Sequence, residues 1–293
     1  MVTLNPPELS TEQALVERYH HAVARLNALI DPEHQRSATL AEVRARAERR
    51  LARLRAFLAF LGNPHQRFPV IHVGGTSGKG STATAIAAVL TAAGYRTGLH
   101  LSPYLQVATE KLQLNGQLIA PGAFADLVTE TLAAADAWSA RSGERLSYGE
   151  AWFALLATSF ATEQVDMAVI EVGAGGRFDL TNVVQPVVSV ITSVGLDHMD
   201  TLGPTIRDIA WHKAGIIKPG APVVTPVRDP EALGPILDEA RLTGSEVIHV
   251  LSTGPAPSSG MAGAFQHVNT ATAVATIRAL IRQGYRRTGA GDR

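Results

Sequence analysis

The distribution of apolar positions along the chain changes near Phe68. Residues 1–67 are polar and predict helices, and Gly62-Asn63-Pro64 is typical of a helix end. From Phe68 onward, short runs rich in valine and isoleucine alternate with longer alanine-rich stretches. The short runs predict strands at Pro69–Val73, Arg96–Leu101, Met167–Val172, Val187–Thr192, Pro222–Thr225 and Glu246–Val250. The longer stretches predict helices at Lys79–Ala93, Pro121–Ala140, Tyr148–Thr162, Thr205–Ala214, Pro230–Leu242 and Phe265–Gln283.

This alternation, with strands that are apolar on both faces, predicts an α/β fold whose mostly parallel sheet has helices on both faces. Lys111–Ile119, with Asn115-Gly116 at its centre, predicts a small antiparallel hairpin with a type I′ turn. We expect a helical N-terminal segment (1–67) packed on the core, a central domain (68–285) and a flexible tail (286–293). Ser252–Gly263 is rich in glycine, proline and serine and is typical of a loop or linker.

Composition and charge narrow the class of protein. Lys plus Arg and Asp plus Glu both total 26, so we expect neither nucleic acid nor a membrane as a partner. The absence of cysteine excludes a thiolate metal site and agrees with a reducing cytoplasm, and no signal peptide or membrane-spanning window is visible, so we expect a cytoplasmic protein. Six arginines lie between Ala41 and Arg55, where the interleaved Glu42 and Glu48 favour a solvated helix face over a nucleic-acid patch.

The clearest candidate chemistry lies in the glycine-rich segment that follows the first predicted strand and opens a helix. In such a phosphate loop (P-loop), backbone N–H groups and the helix N-terminus attract phosphate groups. Lys79 can reach the β- and γ-phosphate oxygens, and the hydroxyl of Ser81 can bind Mg²⁺. Gly80 separates these two residues, whereas the general pattern has none between them. We predict that ATP is bound by Gly75, Thr76, Ser77, Gly78, Lys79, Gly80 and Ser81.

Further polar residues follow other predicted strands, at the edge where the carboxyl ends of parallel strands form a ligand crevice. Glu171 ends one strand and is a natural Mg²⁺ ligand, although an ordinary strand-end turn has the same pattern. Arg177 could pair with an anion. His198 follows another strand and is either a metal ligand or structural. Ser102 adds a hydroxyl, and Lys213 lies near a helix C-terminus, where the helix dipole favours a cation.

These clusters, in this order and spacing, resemble the Mur-ligase superfamily, and within it the folylpolyglutamate synthases, which are often bifunctional with dihydrofolate synthase. The resemblance spans about residues 60–270 and rests on Leu61–Pro64, His72–Ser81, Leu101–Pro103, Leu112–Gly116, Glu171–Val183, Gly195–His198, Lys213–Gly220, Phe265-Gln266 and Asn269. The resemblance implies that ATP phosphorylates the terminal carboxylate of a folate or dihydropteroate. The amine of L-glutamate then attacks the acyl phosphate and forms an amide.

The resemblance also implies roles for residues at matching positions. Lys213 matches a lysine that is carbamylated in many members, and it would act in catalysis with Lys79 and His198. Asn269 would contact the nucleotide. One or two Mg²⁺ ions would be held by Ser81, Ser102, Glu171 and His198. The folate would be contacted by Ser147, Tyr148, Glu150 and Arg177.

Two departures from the family pattern bear on function. Gly149 stands where the family usually has an aromatic residue against which the pterin packs. We also expect the family's C-terminal domain, with further ATP contacts and part of the glutamate site, to be missing from this chain. We therefore expect a pocket that is open on one side and a separate chain as a candidate partner. Three functions stay open: a folylpolyglutamate synthase-like ligase, another Mur-type amino-acid ligase, or a nucleotide-binding module that does not complete ligation.

Overall fold

The computed structural model describes residues 11–30, 39–251 and 262–286. In chain order its helices and strands are α1 (Thr11–Asn27), α2 (Leu40–Phe60), β1 (Val70–Gly74), α3 (Lys79–Ala92), β2 (Thr97–His100), β3 (Gln113–Leu114), β4 (Gln117–Leu118), α4 (Pro121–Ser142), α5 (Tyr148–Thr162), β5 (Met167–Glu171), β6 (Pro186–Ile191), α6 (Met199–Leu202), α7 (Ile206–Ala214), β7 (Val223–Thr225), α8 (Pro230–Thr243), β8 (Val247–His249) and α9 (Gln266–Arg282). Most of the predicted loop Ser252–Gly263 and, except for Arg286, the predicted tail (286–293) lie outside the described residues.

The strands described here form one sheet in the order β4-β3-β2-β5-β1-β6-β7-β8. From β2 to β8 the neighbouring strands are parallel, and only β3 and β4 at one edge are antiparallel. The predicted α/β fold is confirmed. The chain leaves β1 toward β2 on one side and later reaches β6 on the other. The connections therefore diverge around β1, where open α/β sheets bind ligands at the carboxyl ends of their strands.

Helices cover both faces of this sheet. On one face, α3 and α9 bury the side chains of Ile71, Val73 and Val169. On the other face, α1, α2, α4 and α5 form a core that contains Phe57 and Phe160, and α7 and α8 cover β6 and β7. Each residue of β1 and β5 is buried, as expected for central strands covered on both sides. Among the described residues, no helix has the length and apolar character needed to cross a bilayer.

The hairpin at the edge of the sheet agrees with its sequence prediction. Asn115 and Gly116 have φ angles of 51° and 74°, and a type I′ turn requires positive φ at both positions. The two strands are only two residues long each, shorter than the predicted segment. Since β3 also pairs with β2, the hairpin extends the main sheet.

The predicted helix break at Gly62-Asn63-Pro64 is also confirmed. Helix α2 begins with a capping box formed by Thr39 and Glu42, which satisfies two backbone N–H groups. It ends at Phe60. Gly62 and Asn63 then adopt left-handed backbone angles, which an α-helix cannot contain.

The prediction that the arginines of α2 form a solvated face is wrong for three of them. The Arg53 guanidinium forms an ion pair with Glu150, whose side chain is fully buried. Arg50 is partly buried, and the Arg44 guanidinium lies 5.1 Å from the centre of the Trp211 ring. Because α2 packs against α5 and the glycine-rich segment after β5, these cations face the protein interior.

Candidate functional site

The loop after β1 is held by the loop that follows β6. The backbone N–H of Thr76 donates to the Ser193 carbonyl (3.0 Å), and the N–H of Ser77 donates to the Ser193 hydroxyl (2.8 Å). The Thr192 hydroxyl donates to the Ser77 carbonyl (2.7 Å), and the N–H of Gly195 donates to the Thr76 hydroxyl (3.0 Å). Hydrogen bonds to the loop after β6 therefore fix the backbone of the predicted phosphate loop.

Two glycines of this loop are required by close contacts. Gly75 and Gly78 have φ angles of 146° and 81°, which L side chains rarely adopt. A Cβ atom on Gly75 would lie 2.0 Å from Thr192 Oγ1, and one on Gly78 would lie 2.4 Å from Asn269 Oδ1. The structure therefore places Asn269 of α9 directly against the phosphate loop, next to the residues predicted to bind ATP.

Helix α3 presents its N-terminus to the same space. Gly78 precedes the helix and offers no side chain to cap its first N–H groups. The Lys79 ammonium lies 3.4 Å from the Thr76 carbonyl, and the Ser81 hydroxyl lies 3.4 Å from the side-chain amide of Gln266. A helix N-terminus with a lysine and a hydroxyl suits a polyphosphate.

The carboxylate of Glu171 lies beside this helix at the end of β5. It is 5% exposed, and it accepts a hydrogen bond from the backbone N–H of Ser102 (2.9 Å). Burial raises the pKa of Glu171, and the Ser102 N–H and the Lys79 charge oppose that rise. A Cβ atom on Gly80 would lie 3.6 Å from Glu171 Oε2, so the glycine leaves room in front of the carboxylate.

These oxygen atoms fit a hard divalent cation, because Mg²⁺ prefers carboxylate and hydroxyl ligands. Of the residues predicted to hold Mg²⁺, Glu171 and Ser102 are joined by a hydrogen bond. Ser81 follows Gly80, the residue of α3 that faces the Glu171 carboxylate. The side chain of His198 is 54% exposed and lies 3.7 Å from the carboxylate of Asp197. The described residues contain no group of three or more His, Cys, Asp or Glu side chains arranged to hold a metal ion. The four-residue Mg²⁺ site stays a prediction.

Lys213 is buried at the end of α7, with 1% of its surface exposed. Its pKa is lowered from the ordinary 10.5 to about 8, mainly by burial and also by the Lys79 charge, and the Asp197 charge opposes this change. It is therefore not a surface cation that interacts with the helix dipole. The charges of Lys79, in the phosphate loop, and of Asp197, in the loop after β6, therefore both act on the buried amine of Lys213.

Two of the predicted folate contacts also form hydrogen bonds within the protein, and their contact with folate stays a prediction. Ser147 and Glu150 form a capping box at the start of α5, in which the Ser147 N–H donates to Glu150 Oε2 (2.7 Å). Glu150 also accepts two hydrogen bonds of 2.8 Å from Arg53. Its carboxylate is therefore fully used within the protein. Tyr148 remains partly accessible, and its ring centre lies 5.1 Å from the ammonium group of Lys111.

The prediction that Arg177 pairs with a substrate anion is not supported by its placement. Its guanidinium forms an ion pair with Glu239 of α8 and lies 4.2 Å from the centre of the Trp211 ring. A Cβ atom on Gly215 would lie 2.4 Å from Arg177 Cβ, so the end of α7 packs directly on this arginine. The charge of Arg177 is thus paired within the protein and joins α7 to α8.

Several residues of the site were not assigned from sequence. Thr192 and Ser193 support the phosphate loop. The sequence signal that could have identified them is a pair of hydroxyl residues at the end of a strand. Asp179 accepts hydrogen bonds from the backbone N–H groups of Thr181 (2.9 Å) and Ala174 (3.2 Å), which fixes the glycine-rich loop after β5. The charge of Asp179 also raises the pKa of Glu171, so its carboxylate is part of the same electrostatic environment.

Comparisons with known proteins agree with this arrangement. A family model described as Mur ligase middle domain matches residues 73–250. The dihydrofolate synthase/folylpolyglutamate synthase of Bacillus subtilis is 42% identical over 191 residues, which are 65% of this chain and 44% of that protein. The mitochondrial folylpolyglutamate synthase of Bos taurus is 33% identical over 288 residues, which are 92% of this chain and 48% of that protein. A solved FPGS–AMPPCP–folate complex is 34% identical with a TM-score of 0.80, and the match covers 92% of this chain and 68% of that one.

The chain spans about half the length of the curated relatives that it matches. The family match includes the end of β1, the phosphate loop, the Glu171 strand and the Lys213 helix, which are the elements that build the site. The resemblance found in the sequence is confirmed. The chain therefore belongs to the Mur ligase family and, within it, to the folylpolyglutamate synthases.

Proposed function

We propose that this chain carries the ATP-binding and carboxylate-activating part of a ligase that joins L-glutamate to a folate or dihydropteroate. The observation that supports this function is the placement of the buried Glu171 carboxylate beside the first turn of α3, under the influence of the Lys79 charge. A nucleotide site alone requires the loop and the lysine. The buried Glu171 carboxylate and the buried Lys213 indicate a site whose charged groups also act on a reacting anion.

In the proposed reaction, a carboxylate oxygen of the acceptor attacks the γ-phosphorus of ATP, and ADP leaves. The amine of glutamate then attacks the acyl carbon, phosphate leaves, and the amine proton passes to solvent. The first step brings two anions together, so it depends on fixed positive charge and N–H donors more than on a general base. The phosphate loop and Lys79 supply both, in a geometry set by Thr192 and Ser193.

We infer that Mg²⁺ would be held by Glu171 and the hydroxyls of Ser81 and Ser102, with His198 as a ligand to a second ion. A bound Mg²⁺ would offset the charge between the phosphate oxygens and the acceptor carboxylate. The raised pKa of Glu171 fits this role, because a carboxylate buried without a strong partner gains most from a cation.

Lys213 is a candidate for carbamylation. The amine nitrogen must be neutral to attack CO₂, and it releases a proton when the carbamate forms. With a pKa of about 8, about a tenth or more of the Lys213 amines are neutral at pH 7 and above, whereas an ordinary lysine is almost fully protonated. The product would be an anion near Asp197 and the phosphate loop.

The relatives support the choice of substrates. The solved FPGS–AMPPCP–folate complex contains an ATP analogue and a folate in a protein of the same fold. Tyr148 is the substrate contact that we retain from the sequence prediction. A Cβ atom on Gly149 would meet Leu180 Cδ1 at 2.7 Å and the Arg50 guanidinium at 3.3 Å, so these two side chains occupy the position where the family usually has an aromatic ring.

The test is an assay with Mg-ATP, L-glutamate and either tetrahydrofolate or dihydropteroate, in which ADP and the amide product are both measured. We expect ADP release that requires the pterin, together with an amide product. ADP without amide would favour a module that activates the carboxylate and does not complete ligation. Failure of AMPPCP to bind in calorimetry would refute the site.

The matched variant for this assay is Lys79→Ala. We expect it to lose AMPPCP binding and ADP release while its melting temperature stays close to that of the wild type, because Lys79 is not part of the core. Unchanged AMPPCP affinity in this variant would contradict the assignment of the phosphate loop.

A further inference from the structure

A second cavity, whose wall is mostly apolar but includes charged side chains, lies on the other side of the glycine-rich loop that follows β5. It has a volume of about 240 Å³ and is enclosed by α2, this loop, α6 and α7. Its wall includes Arg44, Arg50, Phe178, Asp179, Leu202 and His212. None of these residues belongs to the phosphate loop or to the predicted Mg²⁺ ligands.

Three nitrogen atoms in the wall of this cavity are buried and lack a hydrogen-bond partner. They are Nε of Arg44, Nε of Arg50 and Nε2 of His212. An unsatisfied buried polar group costs about 1–3 kcal/mol, so three around one cavity are expected only where something else bonds to them. A ligand that carries hydrogen-bond acceptors would satisfy the two arginines directly.

The charges around the cavity leave an excess of positive charge. Arg50 is only partly compensated, because the nearby Glu150 carboxylate is engaged by Arg53, and burial lowers the pKa of Arg50. The Asp179 carboxylate is engaged by backbone N–H groups of its own loop. His212 is neutral, since burial and the neighbouring Arg44 lower its pKa to about 4.

We propose that this cavity binds an oxyanion, a carboxylate or a phosphate group, through the guanidinium groups of Arg44 and Arg50. Guanidinium groups bind both kinds of anion in a bidentate manner. The anion is either a carboxylate of the acceptor substrate or free phosphate. The first source rests on the proposed function, and the second does not. The ring of His212 supplies a further polar contact through Nε2.

Phosphate binding tests the site directly. Inorganic phosphate is titrated by calorimetry into the chain saturated with Mg–AMPPCP, and also into Lys79→Ala, so that the phosphate loop does not contribute. We expect one binding event, weakened at least tenfold by Arg50→Gln and by Arg44→Gln. The matched control is Arg49→Gln, which removes the same charge from an exposed position of the same helix and leaves binding unchanged. If Arg50→Gln folds poorly, Arg50→Lys is used in its place. It keeps the positive charge and should retain part of the phosphate affinity.

A competition experiment distinguishes the two sources. Displacement of phosphate by folate and not by pteroate, which lacks the glutamate carboxylates, supports a substrate carboxylate. Displacement by neither supports a site for free phosphate. The proposal is overturned if the wild type does not bind phosphate under these conditions and folate affinity is equal in Arg50→Gln and Arg49→Gln. If the wild type binds phosphate at this cavity but has no ligase activity, the proposed function is contradicted and the anion site is not.

Discussion

The buried amine of Lys213 makes a quantitative prediction about stability. Desolvation disfavours its charged form, so the folded protein releases the Lys213 proton at a pKa of about 8, whereas the unfolded chain keeps it up to the ordinary 10.5. Between these two values the unfolded chain binds more protons, and the free energy of unfolding therefore rises with pH. Lys213→Met fills a similar volume and removes this dependence.

The size of the effect follows from the two pKa values. Crossing the whole interval corresponds to about 3 kcal/mol, because one pH unit between two pKa values is worth about 1.4 kcal/mol. Between pH 7 and pH 9.5 the free energy of unfolding rises by about 2 kcal/mol of this total. The wild type should therefore be stabilised by about 2 kcal/mol relative to Lys213→Met over this range.

Urea denaturation at pH 7, 8, 9 and 9.5 measures this difference. The buffers must be free of bicarbonate, so that Lys213 remains an amine. Lys111 and Lys218 also have pKa values lowered to about 8, but both proteins share them, and their contribution cancels in the comparison. Equal pH dependence of the two free energies of unfolding would show that Lys213 is not buried as an amine.

Three further outcomes follow from individual contacts. Gly78→Ala should weaken AMPPCP binding at least tenfold in calorimetry because its Cβ atom would displace Asn269, whereas Gly116→Ala, which has a similar positive φ and open space around it, should not change that affinity. Glu150→Gln should lower the free energy of unfolding by about 3 kcal/mol in urea because it leaves Arg53 without its buried partner, and an effect below about 1 kcal/mol would contradict the inward placement of this pair. Glu171→Ala should raise the Mg²⁺ concentration needed for ADP release while the melting temperature changes little, and unfolding as its main effect would mark the carboxylate as structural.

Local features of this fold were predictable because they depend on neighbours in sequence. The turn at Asn115-Gly116 and the end of α2 at Gly62 require backbone angles that few other residues adopt. The boundaries of α5 were also predicted from sequence, since its apolar pattern and the following strand set both ends.

Contacts between distant residues were not predictable in the same way. Arg177 was expected to meet a substrate anion, and its partner is Glu239, 62 residues further along the chain. Glu150 was expected to contact the folate, and it meets Arg53, 97 residues earlier. In sequence, a charged residue next to glycine looks the same whether it binds a substrate or forms an internal ion pair. Only the packing of α2, α5 and α8 distinguishes the two.

The hydrogen bonds between the phosphate loop and Thr192, Ser193 and Gly195 have a consequence for cooperativity. These hydrogen bonds tie the loop to the rest of the fold, so we expect a nucleotide to lose little affinity by ordering it. The same segment continues to Asp197 and His198, so a displacement at one end is transmitted to the other over few residues. For the metal ion proposed at His198, we expect its affinity and the nucleotide affinity to depend on each other, by equal factors in both directions.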